Sequence, residues 1–224
     1  MLVGSGRVVG SVRTAESYRR FGLRARRPVF NVPHLYLEPC VQQIKGAVLK
    51  SRLAFVQDHS GTEGLERVLA ALPEGDRRTM KMLFTSNWYP FELGRALDDA
   101  IVRVLGGGRP EFFERLGAAS AEKNLSSVHS GFLTTGDAHA FLAKSPSFYS
   151  LYYETGRREY TPAGPREGVF TTYDAEIFSA PDCLTVVGWY RRALEMCGVP
   201  NVRITEEECR ARGGSVCRYR VKWE

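Results

Sequence analysis

No stretch of this 224-residue chain approaches the roughly 18 uninterrupted apolar residues that a membrane-spanning helix needs. Prolines and glycines, 11 and 22 of them, are too few for a collagen-like or wholly disordered chain. The opening MLVGSGRVVGSVR lacks the basic start and continuous apolar stretch of a secretory leader. Five cysteines, an odd number, do not make the framework of a secreted disulfide-rich domain. A reducing, cytoplasmic setting is therefore expected. With 43% hydrophobic and 25% charged residues, the chain suits one globular domain and a tail.

The net charge of +6 raises the question of nucleic-acid binding, and its distribution answers it. Seven arginines (Arg7, Arg13, Arg19, Arg20, Arg24, Arg26 and Arg27) and a single acid, Glu16, fall within residues 1–30. The other 194 residues hold 24 bases and 24 acids, so nucleic acid is not indicated for the folded part. Residues 1–33 read as a flexible Arg-rich tail and 34–224 as one domain. The tail's Gly4-x-Gly6-x-x-x-Gly10 is not a dinucleotide loop, because no full strand precedes it.

From Leu35 to about Thr155 the pattern is helical. Val41, Ile44, Val48, Leu49 and Leu53 predict one helix over 40–57, and Leu65, Val68, Leu69 and Leu72 another over 62–72. Asn87-Trp88-Tyr89-Pro90-Phe91 opens a third, which Gly106-Gly107-Gly108 stops. Further helices are predicted over 110–122 and 136–155. After residue 156 the period shortens to two. Strands are expected at 157–161, 168–175, 201–208 and 216–223, with a helix running from the N-cap Ser179 to just before Gly198. The fold class is thus α+β, an N-terminal helical layer followed by an antiparallel sheet with a crossing helix.

Candidate metal ligands gather in the last third. Cys183, Val187, Tyr190, Leu194 and Cys197 repeat at helical spacing, so Cys183 begins a face that turns inward. On the next strand Val202, Ile204 and Glu206 share one side, which sets a carboxylate among buried aliphatics. Cys209 joins them only if a bend or bulge precedes the Arg210–Ser215 turn, and Cys217 returns on the last strand. A zinc ion with four tetrahedral ligands accounts for this placement, and Arg210, Arg212 and Arg218 stand near enough in sequence to offset its excess negative charge. Two other readings of the spacing remain: small buried thiols, which suits Cys197, and a Cys209–Cys217 hairpin disulfide. Cys183 and Cys197, about 21 Å apart along a helix, cannot share one ion.

The run Cys183-x22-Glu206-x2-Cys209-x7-Cys217, ending in Cys217-Arg-Tyr-Arg-Val-Lys-Trp223, resembles the 4-vinyl reductase (4VR) domain family. The likeness is sharpest over 180–223 and looser over 80–180. Aromatic-sensing members bind structural zinc through three Cys and one Glu, so the resemblance implies that Cys183, Glu206, Cys209 and Cys217 are the ligands. The wider superfamily includes vesicle-tethering TRAPP subunits and haem nitric-oxide-binding domains. The resemblance also implies an internal apolar pocket, a homodimer, and a sensory or regulatory role whose output passes to a separate protein.

This chain departs from the sensor pattern in one respect. The His and Trp with which sensors hold a phenol have no counterparts at the usual separations from Cys183. His129 and His139 are the nearest imidazoles, and Trp88 and Trp189 the alternative aromatics. A pocket for a small apolar or aromatic ligand is expected among Trp88, His129, Phe132, Phe141, Phe148, Tyr152 and Phe170. A scaffold or tether role without exchangeable ligand is the alternative, and a haem-based gas sensor a third, with His129 or His139 as the proximal ligand. No catalytic triad, paired carboxylates or nicotinamide or flavin fingerprint stands out, so an enzyme is not expected.

Overall fold

The computed structural model describes residues 42–224 apart from Val128 and Ile177. The Arg-rich segment 1–33, Cys40 and the predicted start of the first helix lie outside the described residues. The chain runs β1 (Gln43–Lys45), α1 (Gly46–Ala70), α2 (Glu74–Lys81), β2 (Trp88–Pro90), α3 (Phe91–Val104), α4 (Phe112–Leu125), α5 (Ala138–Leu142) and α6 (Ser145–Tyr152). Then follow β3 (Arg157–Gly164), β4 (Glu167–Tyr173), α7 (Ala180–Met196), β5 (Arg203–Glu208) and β6 (Cys217–Lys222). This is the α+β order expected, a helical layer and then a four-stranded antiparallel sheet in the order β3-β4-β6-β5. No described helix is long and apolar enough to cross a membrane.

The structure revises the reading at its helical end. Gln43–Lys45 is a strand paired antiparallel with Trp88–Pro90, so Ile44 lies opposite Tyr89 rather than on a helix. Pro90 stands extended, at φ −52° and ψ 133°, and the helix starts only at Phe91. The two helices predicted over 40–57 and 62–72 meet at Gly61, whose φ of 65° breaks the helical run inside α1. α2 was not expected. It is nearly all polar, with only Met80 buried, so it has no apolar stripe to betray it.

α7 organises the rest. Ser179 caps it by accepting from the Asp182 amide at 3.1 Å, and Pro181 occupies the first turn. Its inward face carries Cys183, Val187, Tyr190, Leu194 and Cys197, all buried, and meets Phe170, Ile204, Tyr219 and Val221 of the sheet. On its other side α4 comes unusually close. A Cβ on Gly117 would lie 2.1 Å from the Thr185 carbonyl oxygen, and one on Gly188 would lie 1.8 Å from that of Glu114. Two glycines thus let the backbones of α4 and α7 touch.

The first turn of α7 is also tied to the helical layer by charge. Arg52 of α1, buried at 2% exposure, donates through Nε to Asp98 of α3 at 2.5 Å and through a terminal nitrogen to Asp182 of α7 at 2.8 Å. The Tyr153 hydroxyl donates to Asp182 at 3.0 Å. One cation faces two carboxylates here. The excess negative charge is offset by the α7 N-terminus, whose positive dipole end holds Asp182. Burial pushes the Asp98 carboxyl up to about 6 against the opposing pull of Arg52.

Two predictions follow from this packing. Gly188→Ala should lose about 1–3 kcal/mol, read as a lower urea midpoint, whereas Gly75→Ala, with open space around its Cβ, should not. Equal midpoints for the two would contradict the close approach of α4 and α7. Arg52→Met leaves two buried carboxylates without their cation, a loss of about 3–5 kcal/mol at neutral pH. A carboxyl whose pKa is raised by folding favours the folded state in acid and loses that advantage as pH rises through its folded value. The Arg52→Met deficit should therefore shrink as pH is lowered from 7 towards 5, and a deficit independent of pH would contradict the assignment.

Candidate metal centre and adjoining cleft

The sheet and α7 bring four donor residues to one point. Ile204 and Glu206 of β5 face the same side, and the pairing with β6 then slips by one residue between Glu206 and Glu208. That bulge is the one the sequence required: it returns Cys209 to the face of Cys217, Tyr219 and Val221. The side-chain donors of Cys183, Glu206, Cys209 and Cys217 all lie within 4.8 Å of one another. All four expected ligands therefore come together.

The distances discriminate between the readings left open above. Cys183 Sγ is 3.8 Å from Cys217 Sγ and 3.6 Å from Cys209 Sγ, and all three thiols are free, so no hairpin disulfide forms. A tetrahedral ion bonded to thiolates at about 2.3 Å would set neighbouring sulfurs about 3.8 Å apart. The Glu206 side chain is only 6% exposed; Oε2 accepts from Arg212 at 2.6 Å, while Oε1 is buried without any partner. A buried carboxylate oxygen with no hydrogen-bond partner among the described residues, set beside three sulfurs, is placed where it could serve as a metal ligand.

Protonation points the same way. Hydrogen bonding from Cys183 lowers the Cys217 thiol to about 7, helped by the Arg210 amide, which donates to Cys217 Sγ at 3.5 Å. Hydrogen bonds with Cys209 and Cys217, together with burial, push Cys183 up. The sulfurs thus share protons that a metal ion would displace. Of the three arginines expected to offset the charge, only Arg212 reaches a ligand with its side chain. Arg218 pairs with Glu208 at 3.1 Å, and the Arg210 guanidinium lies over the Phe178 ring at 4.9 Å. Cys197 sits apart, accepting from the Thr134 amide at 3.5 Å, as its place at the far end of the helix requires.

A cleft opens between the helical layer and α7. α1 contributes Ala47, Val48, Ser51 and Arg52, and α4 contributes Leu116, Ser120 and Asn124. Opposite them stand Phe148, Tyr149, Tyr152 and Tyr153, then Arg158 of β3, and Thr185, Val186, Trp189 and Tyr190 of α7. The cleft has a cavity volume of about 80 Å³ and opens to solvent at its mouth. A smaller hollow beside it is walled by Tyr149, Tyr153, Arg158 and Val186 of the cleft and by Cys183 and Cys217 of the metal cluster. This hollow has walls in common with both cleft and cluster.

Of the seven residues expected to bind ligand, Phe148 and Tyr152 line this cleft. Phe141 is wholly buried in the sheet-side core, and Phe132 packs on Phe148 with ring centres 4.6 Å apart. Phe170 lies deeper, against Tyr190 at 4.5 Å and Tyr219 at 4.9 Å. Trp88 belongs to β2 under the Lys45 ammonium at 4.2 Å, and His129 rests edge-on to Phe132 and Tyr152 outside the cleft walls. Sequence reasoning did not assign Arg158 to the site. Its neighbour Arg157 is exposed while Arg158 is 7% exposed, an alternation that the period of two carries but that charge alone conceals.

No protein-family model and no curated protein matches the chain. Solved structures do. An H-NOX protein from S. oneidensis in the Fe(II)NO ligation state is similar with a TM-score of 0.63 and 12% identity, over 80% of this chain and 99% of that one. The Fe(II) unliganded H-NOX protein from K. algicida gives 0.61 and 12%, over 80% and 96%. A variant of Tt H-NOX gives 0.59 and 14%, over 80% and 95%. At these identities the likeness is one of fold: this chain has an H-NOX-like α+β fold.

Proposed function

We propose that the protein is a zinc-stabilised, small-molecule-binding domain with a sensory or regulatory role. The observation that carries this reading is the cluster of three thiols and one carboxylate with an unpartnered oxygen, joined to an aromatic cleft through the hollow that both help to wall. Zinc suits the donor set, being borderline-soft and content with four ligands. With all four positions taken by protein, the ion would be structural and would pin α7 to the β5–β6 hairpin. The resemblance to 4VR domains supports the same ligand set. A ligand entering the cleft presses on Tyr149, Tyr153 and Val186, which stand between it and the hairpin, and so has a route to alter contacts with a second copy or a separate output protein. We place the protein in the cytoplasm, where the thiols stay reduced, and assign it binding rather than catalysis.

A haem-based gas sensor is the second reading, favoured by the similarity to H-NOX structures. The imidazoles speak against it. His139 has Nδ1 at 2.5 Å from the Tyr160 hydroxyl and Nε2 at 3.1 Å from the Gly164 carbonyl, and His129 is not among the cleft walls. Volume argues likewise: an engineered cavity of about 150 Å³ holds benzene, so about 80 Å³ admits one ring with part of it at the mouth, not a tetrapyrrole. Among the described residues, neither His129 nor His139, the imidazoles expected as a proximal ligand, fits a haem in this cleft. A tether without exchangeable ligand has less support, since its interior would be filled.

Metal analysis tests the proposal. Untagged protein purified without chelator should carry about one zinc per chain by inductively coupled plasma mass spectrometry. Cys183→Ser should abolish it, while Cys197→Ser should keep it. Folded wild-type protein without zinc, or a Soret band after expression with haem supplied, would overturn the reading.

A further inference from the structure

The cleft holds a cation with no acid beside it. Arg158 is 7% exposed, yet among the described residues no carboxylate lies within salt-bridge distance of its guanidinium. Its Nε donates to the Thr172 hydroxyl at 2.9 Å and one terminal nitrogen to the Tyr190 hydroxyl at 3.3 Å. Aromatic rings surround it, with Tyr149 at 4.9 Å, Phe170 at 5.3 Å and Tyr190 at 5.5 Å from its central carbon. These are neutral partners. Of the groups that share its hollow, the Asp182 carboxylate is already occupied by Arg52 and Tyr153, and the thiols of Cys183 and Cys217 belong to the metal cluster.

A buried guanidinium answered only by hydroxyls and ring faces is poorly compensated, whereas Arg52, on the opposite wall of the same cleft, has two carboxylates of its own. The two neutral contacts use Nε and one terminal nitrogen, so the guanidinium keeps further N–H groups, and its fork geometry matches a carboxylate. The rest of the cleft offers rings, Phe148, Tyr152 and Trp189, to the body of a ligand.

We propose that the cleft binds a small aromatic carboxylic acid as its anion, with the ring among Phe148, Tyr152 and Trp189 and the carboxylate on Arg158. This rests on the reading of the cleft as a ligand site and adds the chemical class of the ligand. Arg158 also walls the hollow beside Cys183 and Cys217, so seating an anion there places negative charge near the thiolate cluster and gives the ligand an electrostatic hold on the metal-bearing hairpin.

The test is a set of matched compounds on the full-length, zinc-replete protein. Benzoate and phenylacetate would be compared with their amides and with toluene by isothermal titration calorimetry. The expected result is that a carboxylate binds about 10-fold or more tightly than its amide, as a charge-assisted hydrogen-bonded pair requires. Arg158→Gln should abolish that preference with zinc content unchanged, and Arg158→Lys should restore part of it. Neutral compounds binding as tightly as the acids would overturn the inference and leave the cleft a ligand site. Failure of every compound to bind would overturn both. Loss of zinc in Arg158→Gln, with no acid preference in the wild type, would make Arg158 a counter-ion of the metal cluster instead; the wild-type comparison decides even if that variant does not fold.

Discussion

Arg52 bridges three helices that are distant in sequence, and the position of α7 depends on that bridge. Its guanidinium reaches Asp98, 46 residues away, and Asp182, 130 residues away, with all three side chains buried. Such a buried triad adds little net stability compared with apolar packing, but it tolerates few alternatives, because moving α7 would strand two carboxylates. Asp182 lies in the first turn of α7, immediately before Cys183, so the geometry that satisfies Arg52 also sets the first sulfur of the metal cluster. The Gly117 and Gly188 approach holds the same helix from its other side.

Charge is unevenly distributed around that helix. On one side, three thiols and Glu206 converge, with a carboxylate oxygen that has no partner. Against the same inward face, hydrogen-bonded to Tyr190, Arg158 stands among rings with no carboxylate in reach among the described residues. The protein therefore keeps a donor cluster and a cation around one hollow, whose walls also include Tyr149, Tyr153 and Val186. Proteins rarely leave buried charge unanswered without a bound group to answer it. An ion on the first and an anion on the second would resolve both, and each would feel the other across that hollow.

The sequence carried the metal cluster further than the cleft, for a physical reason. A two-residue period and a 3.6-residue period are local rules, and they placed Cys183 and Glu206 on inward faces and required the bulge found at Glu206–Glu208. The cleft follows no local rule. Its walls come from α1, α4, α6, β3 and α7, and Arg158 is buried by rings up to 32 residues away. Read alone, Arg157-Arg158 looks like a solvated strand end. Likewise β1 exists only because β2, more than 40 residues on, supplies its partner, so residues 43–45 read as helix until that pairing is seen. Core and cleft divide the aromatics expected to line a pocket in a way that spacing does not encode: Phe141 is sealed, while Phe148 and Tyr152 face the opening.

The claim on which the account turns is that three sulfurs and one carboxylate hold a single ion between α7 and the closing hairpin. X-ray absorption at the zinc K-edge of the purified protein addresses it directly. The account predicts three sulfur scatterers at about 2.3 Å and one oxygen at about 2.0–2.2 Å. A shell of oxygen and nitrogen alone, or no zinc edge in folded protein, would contradict it.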